Sequence, residues 1–113
     1  MGDALVTSQR LANGVAIIDV RGELDVTTVG AFRTVLVDTI TRERPAHVIV
    51  DMGHVSFMDS TGIGALVVGY STARDVGANF VVRNPSSFVY RQLNITGLTE
   101  VFGVPPTRSR VPR

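Results

Sequence analysis

Two short apolar runs separated by one amphipathic segment dominate the middle of this 113-residue chain. HVIVDM (47–52) and NFVVR (79–83) have the length of β-strands, and a continuous apolar run is typical of a strand covered on both faces. The segment between them predicts an amphipathic helix over residues 60–76 that is stopped by Gly77. Its apolar positions, spaced i, i+3, i+4 and i+7, are Ile63, Leu66, Val67 and Tyr70. Strands that alternate with helices in this way predict an α/β fold with parallel strands and right-handed crossovers.

The N-terminal part of the sequence adds a hairpin and a helix. GVAIIDVRG (14–22) has the alternation of a half-buried strand, and residues 5–11 are expected to pair with it as an antiparallel hairpin. The following segment, DVTTVGAFRTVLVDTITRER, predicts a helix that has Thr27 or Thr28 as its N-cap and ends before Pro45. The sheet is therefore expected to be mixed, with its one antiparallel pair at the N-terminus.

The C-terminal part completes the expected domain. PSSFVYRQLNITG (85–97) predicts a third helix, and LTEVFGV (98–104) a last turn followed by a short edge strand. We expect one domain over residues 1–103, followed by a Pro- and Arg-rich mobile tail at 104–113. The predicted architecture is a mixed β-sheet with an N-terminal hairpin and parallel crossovers, flanked by helices.

Composition excludes several classes of protein. The chain has no cysteine and no lysine, which excludes disulfides, thiolate metal sites and a Walker-type phosphate loop. A net charge of +1 is too small for a general nucleic-acid or membrane binder. Without an export signal or a run long enough to span a bilayer, the protein is expected to be cytoplasmic. No metal site or cofactor is predicted, because no compact ligand spacing is formed by His47, Asp51, His54 and Asp59.

Polar side chains follow two of the predicted strands. The segments 21–28 and 52–62 leave the carboxyl ends of strands, at the edge where α/β proteins usually place their sites. We therefore expect the two segments to be neighbours in space. The acids and hydroxyls that they contribute are Glu23, Asp25, Asp59, Ser60 and Thr61.

The two adjacent hydroxyls, Ser60 and Thr61, stand where the central helix begins. They fit four different roles: a helix cap, a nucleophile, a phosphate cradle or a site of modification. Capping is the simplest, because Asp, Ser and Thr side chains accept hydrogen bonds from the free N–H groups of the first turn. A serine-hydrolase elbow needs glycine two residues before the serine, where this chain has Met58. A dinucleotide loop needs a third glycine after Gly62 and Gly64.

Four motifs extend over most of the chain: GELD (22–25), VIVDM (48–52), FMDSTGIGAL (57–66) and ITGL (95–98). Together they resemble a known family, the anti-sigma factor antagonists with their STAS fold. The resemblance implies that Ser60, directly after Asp59, is phosphorylated by a kinase that is also an anti-sigma factor. The predicted partner-binding residues are Glu23, Asp25, Asp59, Ser60, Thr61 and Gly62, with Glu23 and Asp25 included because they follow a strand end.

The function implied by this resemblance is a non-catalytic partner switch. The unphosphorylated antagonist would bind the anti-sigma kinase, which has a histidine-kinase-like ATPase fold, and free a sigma factor for transcription. Phosphorylation would abolish that binding, and a phosphoserine phosphatase would restore it. Two alternatives stay open: a STAS subunit of a transporter or stress-sensing assembly, and a small hydrolase or nucleotide-binding enzyme that uses Ser60.

Overall fold

The computed structural model describes residues 2–105, which form one four-stranded sheet and three α-helices. In chain order the elements are β1 (Ala4–Arg10), β2 (Val15–Leu24), α1 (Val29–Asp38), β3 (His47–Met58), α2 (Ser60–Asp75), β4 (Asn79–Arg83) and α3 (Ser87–Ile95). A π-helical turn, Thr39–Glu43, continues α1. The strand order is β1-β2-β3-β4, with β1 antiparallel to β2 and the other pairs parallel. The predicted mixed sheet, hairpin and crossovers are confirmed.

The hydrophobic core lies on one face of this sheet. All three helices contribute buried side chains to a single cluster with alternate residues of the strands. The strand side chains fully buried there include Ile18, Val20, Val48 and Val50, whereas Ile17 and Ile49 are half-buried on the opposite face. The prediction that HVIVDM is covered on both faces is therefore wrong. An apolar residue on the open face, such as Ile49, produces a continuous apolar run without a second layer of helices.

Helix α2 packs through small residues. Its buried positions are Gly62, Ala65, Leu66, Gly69 and Ala73, whereas Val67 is 41% exposed. A Cβ atom added at Gly69 would lie 3.0 Å from side-chain atoms of Leu36 and of Phe80, so α2 comes close to both α1 and the sheet. The predicted bounds of this helix are confirmed to within one residue, but its predicted buried face is wrong at Val67.

Residues 98–104 form turns and contain no strand, so the predicted edge strand is wrong. A single aromatic side chain anchors this segment instead. Phe102 is fully buried and packs edge-on against Tyr70 and Phe80, at ring-centroid distances of 6.0 and 5.9 Å. Val104 is also buried in the core. The predicted mobile tail lies outside the described residues from position 106 onward.

Candidate functional site

The carboxyl ends of β2 and β3 lie side by side at one edge of the sheet. Both strands are longer than predicted, since β2 reaches Leu24 and β3 continues through GHVSFM to Met58. Leu24 pairs with Met58, and the Asp59 backbone N–H donates to the Leu24 carbonyl at 3.2 Å. The expectation that these two chain segments are neighbours is confirmed. The edge formed by residues 23–28 and 57–62 is called the rim below.

The two hydroxyls at the start of α2, those of Ser60 and Thr61, have different surroundings. Asp59 is the N-cap, and its Oδ1 accepts hydrogen bonds from the Thr61 backbone N–H at 2.9 Å and from the Thr61 hydroxyl. Thr61 is half-buried. Ser60 is exposed, and its hydroxyl makes no hydrogen bond within residues 2–105. Of the two residues, only Ser60 is both exposed and free of a side-chain hydrogen bond within residues 2–105.

Gly62 occupies the core side of the same turn. It is buried, and a Cβ atom there would lie 2.5 Å from Met58 Cγ and 3.3 Å from Leu24 Cβ. The absence of a side chain therefore lets the first turn of α2 lie close to the ends of both strands. Gly62 thus lies on the buried side of the rim, whereas Ser60 lies on its exposed surface.

Asp25 is the centre of a hydrogen-bond network in the loop between β2 and α1. Its Oδ1 accepts from the backbone N–H of Thr27 at 2.9 Å, from the N–H of Thr28 at 3.2 Å and from the Thr27 hydroxyl at 2.7 Å. Its Oδ2 accepts from the backbone N–H of Gly2 at 2.9 Å. The hydroxyl bond from Thr27 is the main cause that lowers the pKa of Asp25 from 3.8 to about 2. Asp25 therefore fixes the loop and the segment before β1.

Thr28 was one of the two predicted caps of α1, and it occupies the N-cap position without a capping bond from its side chain. Its hydroxyl instead donates to the Glu23 carbonyl at 2.7 Å and accepts from the Asp25 N–H at 3.0 Å. The backbone N–H groups of Thr27 and Thr28 donate to the carboxylate of Asp25 instead. No sequence signal pointed to Gly2 as the partner of Asp25, because the two residues are 23 positions apart.

The carboxylate of Glu23 differs from that of Asp25. Glu23 is half-buried, and its carboxylate accepts no hydrogen bond within the described part of the chain. A side chain on Gly2 would collide with Glu23 Oε1 and would come within 2.7 Å of Asp25 Oδ2. Of the two acids in the GELD motif, Glu23 has a carboxylate free for an external donor, whereas both carboxylate oxygens of Asp25 already accept bonds within the chain.

Exposed apolar side chains flank these polar groups. Val26 is 74% exposed, and Phe57 is 40% exposed with its ring 5.4 Å from that of Phe88. On α2, Val67 and Val68 lie on the exposed face that also carries Ser60. Apolar groups bordered by polar ones are typical of surfaces that bind other proteins. The sequence analysis did not identify Val26 or Phe57, because only the fold shows which apolar residues stay outside the core.

The described residues contain neither a cluster of metal ligands nor a helix that could span a membrane. Within residues 2–105, no three His, Asp or Glu side chains lie close enough together to hold a metal ion. The Asp51 carboxylate instead pairs with Arg83 at 3.3 Å on the open face of the sheet. Helices long and apolar enough to cross a membrane are absent from the same residues.

The lowered pKa of Asp25 predicts a specific pH dependence of stability. Because the folded pKa lies below the ordinary value, the charged carboxylate stabilises the fold above about pH 4, and this contribution is lost as the pH falls to about 2. We expect the difference in free energy of unfolding between wild type and Asp25→Asn to shrink across this interval in urea titrations. Asp38→Asn, at an exposed position of α1, is the control and should follow the wild-type curve. A difference that stays constant from about pH 4 to pH 2 would contradict the assigned hydrogen bonds.

The fold and the rim define a small α/β domain that presents a free serine hydroxyl on a surface suited to protein contact. The family model of the STAS domain matches residues 8–112, and the chain belongs to this family.

Three known proteins are similar to this chain. It is 36% identical to an anti-sigma-B factor antagonist of Staphylococcus epidermidis over 77% of this chain and 80% of that protein. It is 29% identical to an anti-sigma F factor antagonist of Paenibacillus polymyxa over 80% of this chain and 78% of that protein. The structure of the anti-sigma factor antagonist SpoIIAA in its unphosphorylated form superposes with a TM-score of 0.77 at 21% identity, covering 95% of this chain and 93% of that one. The last similarity establishes the fold.

Proposed function

We propose that this protein is an anti-sigma factor antagonist that binds an anti-sigma factor kinase through the rim, and that phosphorylation of Ser60 turns this binding off. The observation that carries the proposal is the exposed Ser60 hydroxyl, which has no hydrogen bond within the described residues and lies in the middle of a mixed polar and apolar surface. Relatives named as anti-sigma factor antagonists support the class of partner. In the unphosphorylated state the antagonist would occupy the kinase and release a sigma factor for transcription.

The unphosphorylated rim offers both kinds of contact that a protein interface needs. Val26 and Phe57 supply exposed apolar surface, and burying it on a partner is favourable at roughly 25 cal/mol per Å². Glu23 and the Ser60 hydroxyl supply polar groups at the same edge that are free to bond with the partner. The network around Asp25 keeps the loop between β2 and α1 in one conformation before docking, which lowers the entropy lost on binding.

A phosphate on Ser60 would oppose this docking through its charge. It adds about −1.5 to −2 charges beside Asp59 and on the same edge as Glu23 and Asp25. The helix end offers it only limited compensation, because Asp59 Oδ1 already accepts from the Thr61 backbone N–H. The added charge would therefore face the partner, where desolvation and like-charge repulsion cost several kcal/mol. Binding is lost without any change in the fold.

The first test of this function is the position of the phosphate. We expect the purified chain, incubated with the anti-sigma factor kinase of its own genome and ATP, to carry phosphate on Ser60 and none on Thr61. Tandem mass spectrometry of the peptide that contains residues 57–66 identifies the modified hydroxyl. The Ser60→Ala variant is the matched control and should remain unlabelled. Phosphate on Thr61 of the wild type, or undiminished labelling of Ser60→Ala, would refute the assignment.

A further inference from the structure

The Asp59 carboxylate accepts a hydrogen bond from the hydroxyl of Thr61 and none from the neighbouring hydroxyl of Ser60. Its Oδ1 accepts both the backbone N–H of Thr61, at 2.9 Å, and the Thr61 hydroxyl. No comparable acceptor within residues 2–105 takes the Ser60 hydroxyl, which faces solvent one position earlier in the same turn. The Ser60 hydroxyl is therefore free to react, whereas the Thr61 hydroxyl is occupied by a hydrogen bond. The Asp59 side chain causes this difference.

We propose that Asp59 is a specificity-determining residue: by holding the Thr61 hydroxyl, it makes Ser60 the sole phosphoacceptor of the pair. This inference rests on the proposed function, because it concerns which hydroxyl the kinase modifies. It assigns Asp59 a role that differs from direct contact with the partner. Asp59 acts on the reaction through Thr61 and is a positioning residue, not a catalytic one.

The chemistry of phosphoryl transfer explains why the held hydroxyl does not react. The acceptor oxygen forms a new bond to the γ-phosphorus of ATP while the bond from that phosphorus to the oxygen of ADP breaks, and the hydroxyl proton passes to a base of the kinase. The acceptor must therefore reach the phosphate in line and turn its proton toward the kinase. The Thr61 hydroxyl turns its proton toward Asp59, and its side chain is half-buried. Ser60 is exposed and its hydroxyl has no acceptor within residues 2–105, so its proton is free to turn toward the kinase.

Removing the acceptor should release the second hydroxyl. A hydrogen bond to a charged group contributes about 1.5–3 kcal/mol. Its loss raises the fraction of molecules with a free Thr61 hydroxyl by a factor of roughly 10 to 100. We expect the labelling of Thr61 in Asp59→Gly/Ser60→Ala to rise roughly 10- to 100-fold above the background signal of Ser60→Ala. Glycine is used because it is a tolerated N-cap residue, so the helix start is preserved.

The matched control keeps the acceptor and removes its charge. In Asp59→Asn/Ser60→Ala the amide oxygen still accepts from Thr61, and asparagine caps helices as well as aspartate does. Because the bond to a neutral amide is weaker than one to a carboxylate but is still made, we expect this variant to label Thr61 more slowly than Asp59→Gly/Ser60→Ala. All variants are incubated with the same anti-sigma factor kinase and ATP, and the modified residue is identified by mass spectrometry. Circular dichroism verifies that each variant is folded.

A measurement without the kinase tests the hydrogen bond directly. Hydrogen exchange of the Thr61 backbone amide, followed by NMR in the otherwise unmodified chain, should accelerate in Asp59→Gly and change little in Asp59→Asn. Accelerated exchange only in the glycine variant supports the arrangement on which the proposal depends. Equal exchange rates in wild type and Asp59→Gly would overturn it.

The remaining outcomes separate this inference from the proposed function. If Ser60 is labelled in the wild type but Thr61 stays unlabelled in Asp59→Gly/Ser60→Ala, the inference fails and the proposed function stands. Labelling of Thr61 in Ser60→Ala at the rate seen in Asp59→Gly/Ser60→Ala would show that the bond to Asp59 does not restrain this hydroxyl and would also overturn the inference. A wild-type chain that no anti-sigma factor kinase labels would refute the proposed function and this inference with it.

Discussion

Ser60→Asp is expected to bind the anti-sigma factor kinase at least about tenfold more weakly than wild type, a loss of about 1.4 kcal/mol. The carboxylate places one negative charge at the exposed start of α2, beside Asp59 and on the same edge as Glu23. Aspartate is favourable in the first turn of a helix, so the fold should not be affected. Isothermal titration calorimetry gives the affinity, while circular dichroism and the melting temperature should stay close to those of wild type.

The control for this prediction is Ser60→Ala, which removes the hydroxyl without adding charge. It should bind the kinase well and remain bound in the presence of ATP, because it cannot be phosphorylated. If Ser60→Asp binds as tightly as Ser60→Ala, charge at this position does not govern docking. If Ser60→Asp loses its secondary structure, the switch acts by refolding and not by repulsion at the interface.

Gly62→Leu is expected to destabilise the fold by about 3 kcal/mol, at the upper end of the usual cost of overpacking a core. Gly62 is buried, and the first atom of any side chain there would lie 2.5 Å from Met58 Cγ and 3.3 Å from Leu24 Cβ. These contacts lie below the rim, where both strands end, so the helix cannot move outward without separating from the sheet. Urea-induced unfolding of the purified variant measures the loss.

The same helix supplies a matched control two residues later. Gly64 is exposed, and a Cβ atom there would meet no other atom within 4 Å. Gly64→Leu should therefore raise the stability slightly, by roughly 0.8 kcal/mol, since leucine is the better helix former. Equal losses in the two variants would show that the helix tolerates no leucine in its first turns and would contradict the packing assigned to Gly62.

The order and type of the elements could be predicted because they depend on local patterns. GVAIIDVRG, HVIVDM and NFVVR are strands in the structure, and the segment after Asp59 is a helix that ends before Gly77. Strands joined by helices must run parallel in one sheet, which brings their carboxyl ends to a common edge. For the same reason the proximity of GELD and MDSTG was predictable, although they are more than 30 residues apart in the chain.

The predictions from sequence were wrong where tertiary packing, and not hydrophobic periodicity, determines the structure. Val67 fits the apolar spacing of α2, yet the helix turns its small residues inward because they permit a closer approach to Leu36 and Phe80. LTEVFGV has the composition of a strand, but the burial of Phe102 holds it in a turn with one backbone bond to Val82. Neither outcome follows from a pattern within the segment, since each depends on the shape of a distant neighbour.

By itself, the sequence determined the α/β fold, the place of the rim and the candidate residues on it, because hydrophobic periodicity and capping chemistry act over a few neighbouring residues. The tertiary structure alone distinguished those candidates from one another. It placed the Ser60 hydroxyl in solvent, held that of Thr61 on Asp59, buried Gly62 and tied Asp25 to Gly2. Exposure and hydrogen-bond partners depend on groups brought together from distant parts of the chain, and only the folded arrangement specifies them.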